Sequence, residues 1–319
     1  MAWAAASTLV DARRVAGGSA VAPWPPVARW TWLILLAVLA LETVWVARGG
    51  FTVAWLGVRW ALIMVAVALA CHGVARFFRA DASILALTEC IALLFAQCMF
   101  GPLSYLAASV GGPLQDDRLD GLDRALGFDW SGFNAWVAAH PWVQATLVHA
   151  YDSPPLQLGL LLLVVCYRHH QQVREFVLAL TFTLIAAIVI ASLAPALGAH
   201  IQHGAPVPAL QQGIDDLLAL RSGSLRRLSL PDIQGIISFP SFHAAMGVLL
   251  AWGMRRPRWL FTVAAPVNAV MLVSTLTAGG HYLIDVIAGV AIAAASAWAA
   301  TLARRSDRRA DVAPAAALA

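Results

Sequence analysis

The sequence contains no lysine: all 21 basic side chains are arginines. Any mechanism that depends on a lysine ammonium is thereby excluded. Charge of either sign is scarce. Only 12% of the 319 residues are charged, 61% are hydrophobic and the mean hydropathy is +0.75, a balance that excludes an ordinary soluble domain. Cysteine is scarce too. Cys71, Cys90, Cys98 and Cys166 sit inside apolar runs without the paired spacing of a metal site or a disulfide framework; they read as small buried hydrophobes. No metal and no cofactor is expected. There is no internal repeat, and low complexity is confined to the Ala-rich tail from Ala310. The formal net charge of +4 is no nucleic-acid signal, because the arginines are scattered over turns and form no stripe interleaved with aromatics.

What is abundant is apolar sequence in long runs. A helix needs about 20 apolar residues to cross the hydrocarbon core, and eight runs qualify: Trp30 to Val46, Trp55 to Val74, Ile84 to Ala107, Val143 to Tyr167, Phe176 to Leu197, Phe239 to Met254, Trp259 to Ala278 and Tyr282 to Leu302. The fold expected is an all-α polytopic membrane helix bundle. Pro154-Pro155 must break or kink the start of the fourth run, since proline removes a backbone donor and clashes with the preceding turn. Residues 1–29 read as a disordered cytoplasmic tail. The run after it lacks a small-residue cleavage site and reads as an uncleaved first span.

Two long connections, residues 108–142 and 198–238, fall on one face of such a bundle, and both termini fall on the other. Fourteen arginines lie on the terminal side (Arg13, Arg14, Arg29, Arg76, Arg79, Arg168, Arg174, Arg255, Arg256, Arg258, Arg304, Arg305, Arg308, Arg309) and seven on the opposite side. By the positive-inside rule the termini are cytoplasmic. The expected setting is a bacterial inner membrane with the long connections facing the periplasm or the outside.

Chemistry concentrates in two segments. Ser238-Phe239-Pro240-Ser241-Phe242-His243-Ala244 reads as a loop becoming a helix, with Pro240 near the first helical position and Ser241 able to cap. Free amides at such an N-terminus attract anions, and His243 in the first turn can give a proton to a leaving oxygen. In Gly280-His281-Tyr282-Leu283-Ile284-Asp285, His281 and Asp285 are four residues apart and share one helical face. The carboxylate can fix the imidazole tautomer and leave the distal nitrogen free as a nucleophile. A histidine at a span end is ordinarily an interfacial residue; an ionisable Asp285 within a span, beside a partner, marks function. His140, His149, His200 and His203 have no fixed carboxylate partner and read as interfacial.

These residues resemble the type 2 phosphatidic acid phosphatase superfamily, whose second motif is Pro-Ser-Gly-His and whose third is Ser-Arg-x5-His-x3-Asp. Here they read Pro240-Ser241-Phe242-His243 and Ser274-Thr275-x5-His281-x3-Asp285. The resemblance covers residues 84–303 as a six-span core, leaving 30–83 as two accessory spans and 304–319 as a cytoplasmic tail. It implies that His281 is the nucleophile, that Asp285 orients it and that His243 protonates the leaving group. The family's first motif, Lys-x6-Arg-Pro, is absent, and Thr275 replaces the third-motif arginine. That departure is similar to the branch containing inositol phosphorylceramide synthases, where Ser-Phe-Pro-Ser-x-His-Ala and Gly-His-Tyr-x-Ile-Asp sequences are typical.

A phosphate carrying about two negative charges still needs partners. Arg221, Arg226 and Arg227 approach the sixth span along its loop and are the preferred candidates, with Arg124, Ser241 and Tyr151 as further substrate-binding candidates. The stretch Leu119 to Trp130 resembles the branch's segment at the place of the first motif; it reads equally well as an interfacial amphipathic helix with solvated charges. The expected activity is a metal-independent phosphoesterase or phosphotransferase acting on lipid phosphates or phospholipid head groups through a phosphohistidine. The competing expectation is a non-catalytic lipid-binding or transport protein of the same fold.

Overall fold

A computed structural model describes residues 26–205 and 207–316; the expected N-terminal tail falls outside them as far as residue 25, and so does the chain end at 317–319. With no water available in hydrocarbon, apolar sequence can satisfy its backbone groups only within itself, and helices dominate accordingly. Helix α1 (Pro26–Gly49) and helix α2 (Trp55–Phe77) are followed by α3 (Ala82–Ala96), which passes through a 3-10 turn (Gln97–Met99) into α4 (Phe100–Ala108). The first long connection holds α5 (Asp116–Ala125) and α6 (Trp130–Ala138), then α7 (Pro141–Tyr151). Next, α8 (Pro154–Leu160) runs through a π turn (Leu161–Val165) into α9 (Cys166–Leu193). The second long connection holds α10 (Ala199–Gln202) and α11 (Gln211–Ser222), and α12 (Phe242–Gly253), α13 (Arg258–Ser274) and α14 (Leu283–Ala316) complete the chain.

Among the described residues, five helices are long and apolar enough to cross a bilayer, and Phe242–Gly253 and Arg258–Ser274 are shorter apolar helices. The longest stretch, Pro154–Leu193, is two passages. His169 leaves helical geometry (φ −129°, ψ 36°), and Leu161 and Phe176 on either side of it both flank Gly253, at 3.2 and 2.9 Å from where a Cβ there would stand. In a straight helix they would be about 22 Å apart, so the chain doubles back at His169. The molecule is thus an all-α polytopic membrane bundle. The fourth passage starts at Pro154, later than Val143, because the double proline ends α7 at Tyr151. The tail expected from residue 304 continues α14 as far as Ala316.

Burial decides which helices form the centre. Every residue from Gln172 to Thr181 in α9 is buried, as expected of a helix surrounded on all sides. By contrast only 22% and 11% of the spans in α1 and α2 are buried, so these two lie at the periphery. A two-residue parallel pairing, Thr52–Val53 with Arg227–Leu228, ties their connection to the second long loop. Helix α12 has 12 residues, about 18 Å, well short of the roughly 30 Å hydrocarbon thickness. It is too short to cross the hydrocarbon by itself, and Pro240 and Ser241 just before it are buried.

The core contains an ion pair. Arg174 donates from Nε (2.8 Å) and Nη2 (2.6 Å) to Glu89 Oε2, with side-chain exposures of 9% and 1%. Arg174, counted from the sequence among membrane-flanking arginines, is a core residue, because a buried carboxylate on α3 demands a cation beside it. Arg174→Met should lower folding stability by about 3–5 kcal/mol in detergent melts, and adding Glu89→Gln should restore much of it. A double variant as unstable as the single one would contradict a paired, desolvated bridge.

Candidate active site

The connection from α13 into α14 brings several groups close together. Gly280 has φ +62°, and a Cβ there would stand 2.3 Å from His200 Nδ1; one on Gly279 would stand 2.8 Å from His281 Cδ2 and 3.1 Å from the Tyr151 ring. Only glycines allow three rings to crowd this turn. The Tyr151 ring in turn stacks on His243, with centroids 4.2 Å apart and planes at 16°. Gly289 repeats the device one helix along: a Cβ there would meet the Ser241 carbonyl oxygen at 2.3 Å, so α14 lies directly against the start of α12. The Ser241 amide donates to the Asp285 carbonyl at 3.0 Å.

His281, His243, Tyr151 and His200 line one cavity of about 500 Å³. Behind His281 stands Asp285, fully buried, whose Oδ2 lies 3.3 Å from Nδ1 and accepts the Tyr282 amide at 2.9 Å. The pair forms differently from the expectation of one helical face: α14 begins at Leu283, and His281 reaches Asp285 across the turn before it. With Nδ1–H directed at the carboxylate, Nε2 is the ring nitrogen left for chemistry. His243 lies in the first turn of α12, as expected, and Ser241 caps that helix by accepting the Ala244 amide at 3.3 Å. Its hydroxyl serves the helix and does not line the cavity.

None of Arg124, Arg221, Arg226 and Arg227 lines the cavity. Arg221 donates to the Gly112 carbonyl at 2.7 Å, Arg226 lies over the Phe51 ring, Arg227 is exposed in the short strand, and Arg124 pairs with Asp120. Closeness in sequence to α12 does not bring them to the cavity, because the segment ending at Arg227 is drawn toward the α1–α2 connection by strand pairing. No arginine among the described residues lines the cavity, so charge there must be met by amides, hydroxyls and imidazoles.

The acidic residues of α5 do what the sequence left unread. Asp116, Asp120 and Asp123 are buried, contrary to a solvated amphipathic helix. Asp123 accepts the first amides of α14, Leu283 at 2.7 Å and Ile284 at 2.9 Å, and Asp116 accepts Leu197 and Gly198 amides and the Tyr282 hydroxyl at 3.2 Å. The Trp130 indole donates to the His281 carbonyl at 3.1 Å. Their spacing, i, i+4, i+7, was visible as one helical face. His200, read as interfacial, is buried against the Gly280 carbonyl at 3.2 Å, and His203 pairs with Asp120. No pattern in the sequence marked His200.

A family model described as PAP2 superfamily matches residues 118–299, a stretch from α5 into α14 that includes His243, His281 and Asp285. The chain belongs to the PAP2 superfamily, and with its apolar helices it is an integral membrane protein of the phosphatase type. The third span, included in the core expected from Ile84, precedes the matched residues. No curated protein and no solved structure matches the chain.

Burial holds the His281 imidazole far below its usual 6.5, at about 4, against the opposing pull of the Ser238 carbonyl. The unfolded chain therefore binds a proton near pH 6.5 that the folded protein refuses until about pH 4, so stability falls as pH drops through that interval and is flat above it. His281→Asn should lose less melting temperature between pH 6.5 and 4 than the native chain in detergent. Equal losses would contradict a buried neutral imidazole.

Proposed function

We propose that the chain is a lipid phosphotransferase or phosphoesterase that forms a phosphohistidine at His281, and that its donor is a phosphodiester head group. The observation that carries this reading is that His281, backed by Asp285, shares one cavity with His243. His281 Nε2 attacks phosphorus while the P–O bond to the leaving lipid alcohol breaks, and His243 gives that oxygen its proton. In the second step neutral His243 takes the proton of an incoming hydroxyl, whose oxygen forms the new P–O bond as the P–N bond breaks. Water completes hydrolysis, and an alcohol completes transfer. Asp285 orients His281 and balances the imidazolium-like phosphorylated ring.

The cavity's charge argues for the donor. A phosphate dianion taken from water into a space that no arginine among the described residues lines lacks the charge partner it needs, whereas a phosphodiester carries a single charge. The free amides at the start of α12 can meet that single charge. The similarity of Gly280 to Asp285 to the sequences typical of inositol phosphorylceramide synthases agrees with head-group transfer. The arginine excess on the terminal side, which survives setting Arg174 aside, supports cytoplasmic termini and an outward-facing cavity.

With purified protein in vesicles, phosphatidylinositol should be turned over faster than phosphatidate. His281→Ala and His243→Ala should each abolish turnover, and Asp285→Asn should reduce it on the order of a thousandfold. Undiminished turnover in either histidine variant would contradict the mechanism, and a preference for phosphatidate would contradict the donor.

A further inference from the structure

The end of the bundle opposite the histidines holds a second hollow, of about 540 Å³, with a contrasting lining. It gathers Arg168, just before the chain reversal at His169, Arg255 and Arg256, just after α12, and Arg304, far along α14. Arg304 lies 21 residues beyond the first residue of α14, about 30 Å along the axis, so the hollow is separate from the cavity described above. Among the described residues its one lining carboxylate is Glu175, which has 1% side-chain exposure and is held by both Arg255 and Arg304. The Gln172 amide fixes the neighbouring turn, donating to the Gly253 carbonyl at 2.5 Å and the Arg256 carbonyl at 3.1 Å.

Arginines serving only as membrane-flanking charges gain most by snorkelling outward into water and head groups. Here two of the four are drawn inward by a carboxylate removed from water, an arrangement that costs desolvation and is worth keeping when the cations are needed in fixed positions. The other two, Arg168 and Arg256, are exposed and have no acidic partner among the described residues. Among the described residues, four guanidinium groups face one carboxylate, an excess of three positive charges around a polar hollow. Basic pockets between transmembrane helices are suited to anionic head groups, and guanidinium forks match phosphate oxygens.

We propose that this hollow binds a phosphate-bearing anion, contacted by Arg168 and Arg256, with Glu175 holding Arg255 and Arg304 in position around it. The ligand is a phosphate group carried either by an anionic lipid of the adjoining leaflet or by a soluble compound. The site is independent of the reaction proposed at His281, although α12 carries His243 in its first turn with Arg255 and Arg256 just after its last, and α14 carries Asp285 in its first turn with Arg304 far along it.

The test uses the full chain in detergent. Its melting temperature is followed while phosphatidylglycerol in phosphatidylcholine mixed micelles, or inorganic phosphate, is titrated in. The native chain should be stabilised, and Arg168→Gln/Arg256→Gln should show an apparent affinity weaker by about tenfold or more. Arg305→Gln, an exposed arginine of the same end outside the hollow, should bind like the native chain. Stabilisation by phosphatidylglycerol alone identifies a lipid head group, and stabilisation by inorganic phosphate identifies a soluble phosphate; either supports the site. No stabilisation by either probe overturns it, as does an equal loss in Arg305→Gln, which would reduce the effect to surface charge. Since Arg168 and Arg256 are exposed, the double variant should melt like the native chain without ligand; if it does not, each single variant is titrated against Arg305→Gln by the same criterion.

Discussion

Everything at the histidine cavity hangs from the way the first turn of α14 is anchored. The first amides of a helix have no partner within it, and each one left unsatisfied away from water is costly. Asp123 meets two of them from a different part of the chain, with both oxygens, and Asp285 meets the Tyr282 amide from within. His281 is the residue immediately before these bonded amides. Its direction is therefore set by carboxylates that also close the bundle, and Trp130 and Asp116 hold the same turn from the side.

Close backbone approach supplies the second constraint. Gly289 lets α14 lie against the start of α12, and Gly279 and Gly280 let Tyr151, His200 and His281 share one small space. His243, in α12, and His281, in the turn before α14, are thus held by the bond from the Ser241 amide to the Asp285 carbonyl, which favours a fixed separation. Among the described residues the cavity has imidazoles, amides and apolar walls but no guanidinium. Its cations lie at the other end of the same two helices, where Glu175 organises them. That division of charge along α12 and α14 makes one end suited to nucleophilic chemistry on a weakly charged phosphorus centre and the other to holding an anion.

Much of the bundle was legible because the bilayer imposes a length, and apolar runs of that length have few alternatives. The site was legible in part. His243 in a first turn, the capping of Ser241 and the pairing of His281 with Asp285 followed from local spacing. The pairing's geometry did not, since the helix starts two residues after His281. The arginines stand outside the cavity because their destinations depend on long-range partners: Gly112 for Arg221, and Phe51 for Arg226. Asp116 and Asp123 were hidden for the same reason. A row of aspartates on one helical face looks solvated until the amides of residues 197, 198, 283 and 284 are folded against it.

The most direct test of the account is to find the covalent intermediate. The protein is incubated with phosphatidylinositol labelled at phosphorus, quenched in alkali to preserve phosphoramidates, and digested for peptide mapping. The expected result is label on the peptide containing His281, absent in His281→Ala and accumulating in the native chain when acceptor is withheld. Turnover without label at His281, or label that survives in His281→Ala, would contradict it.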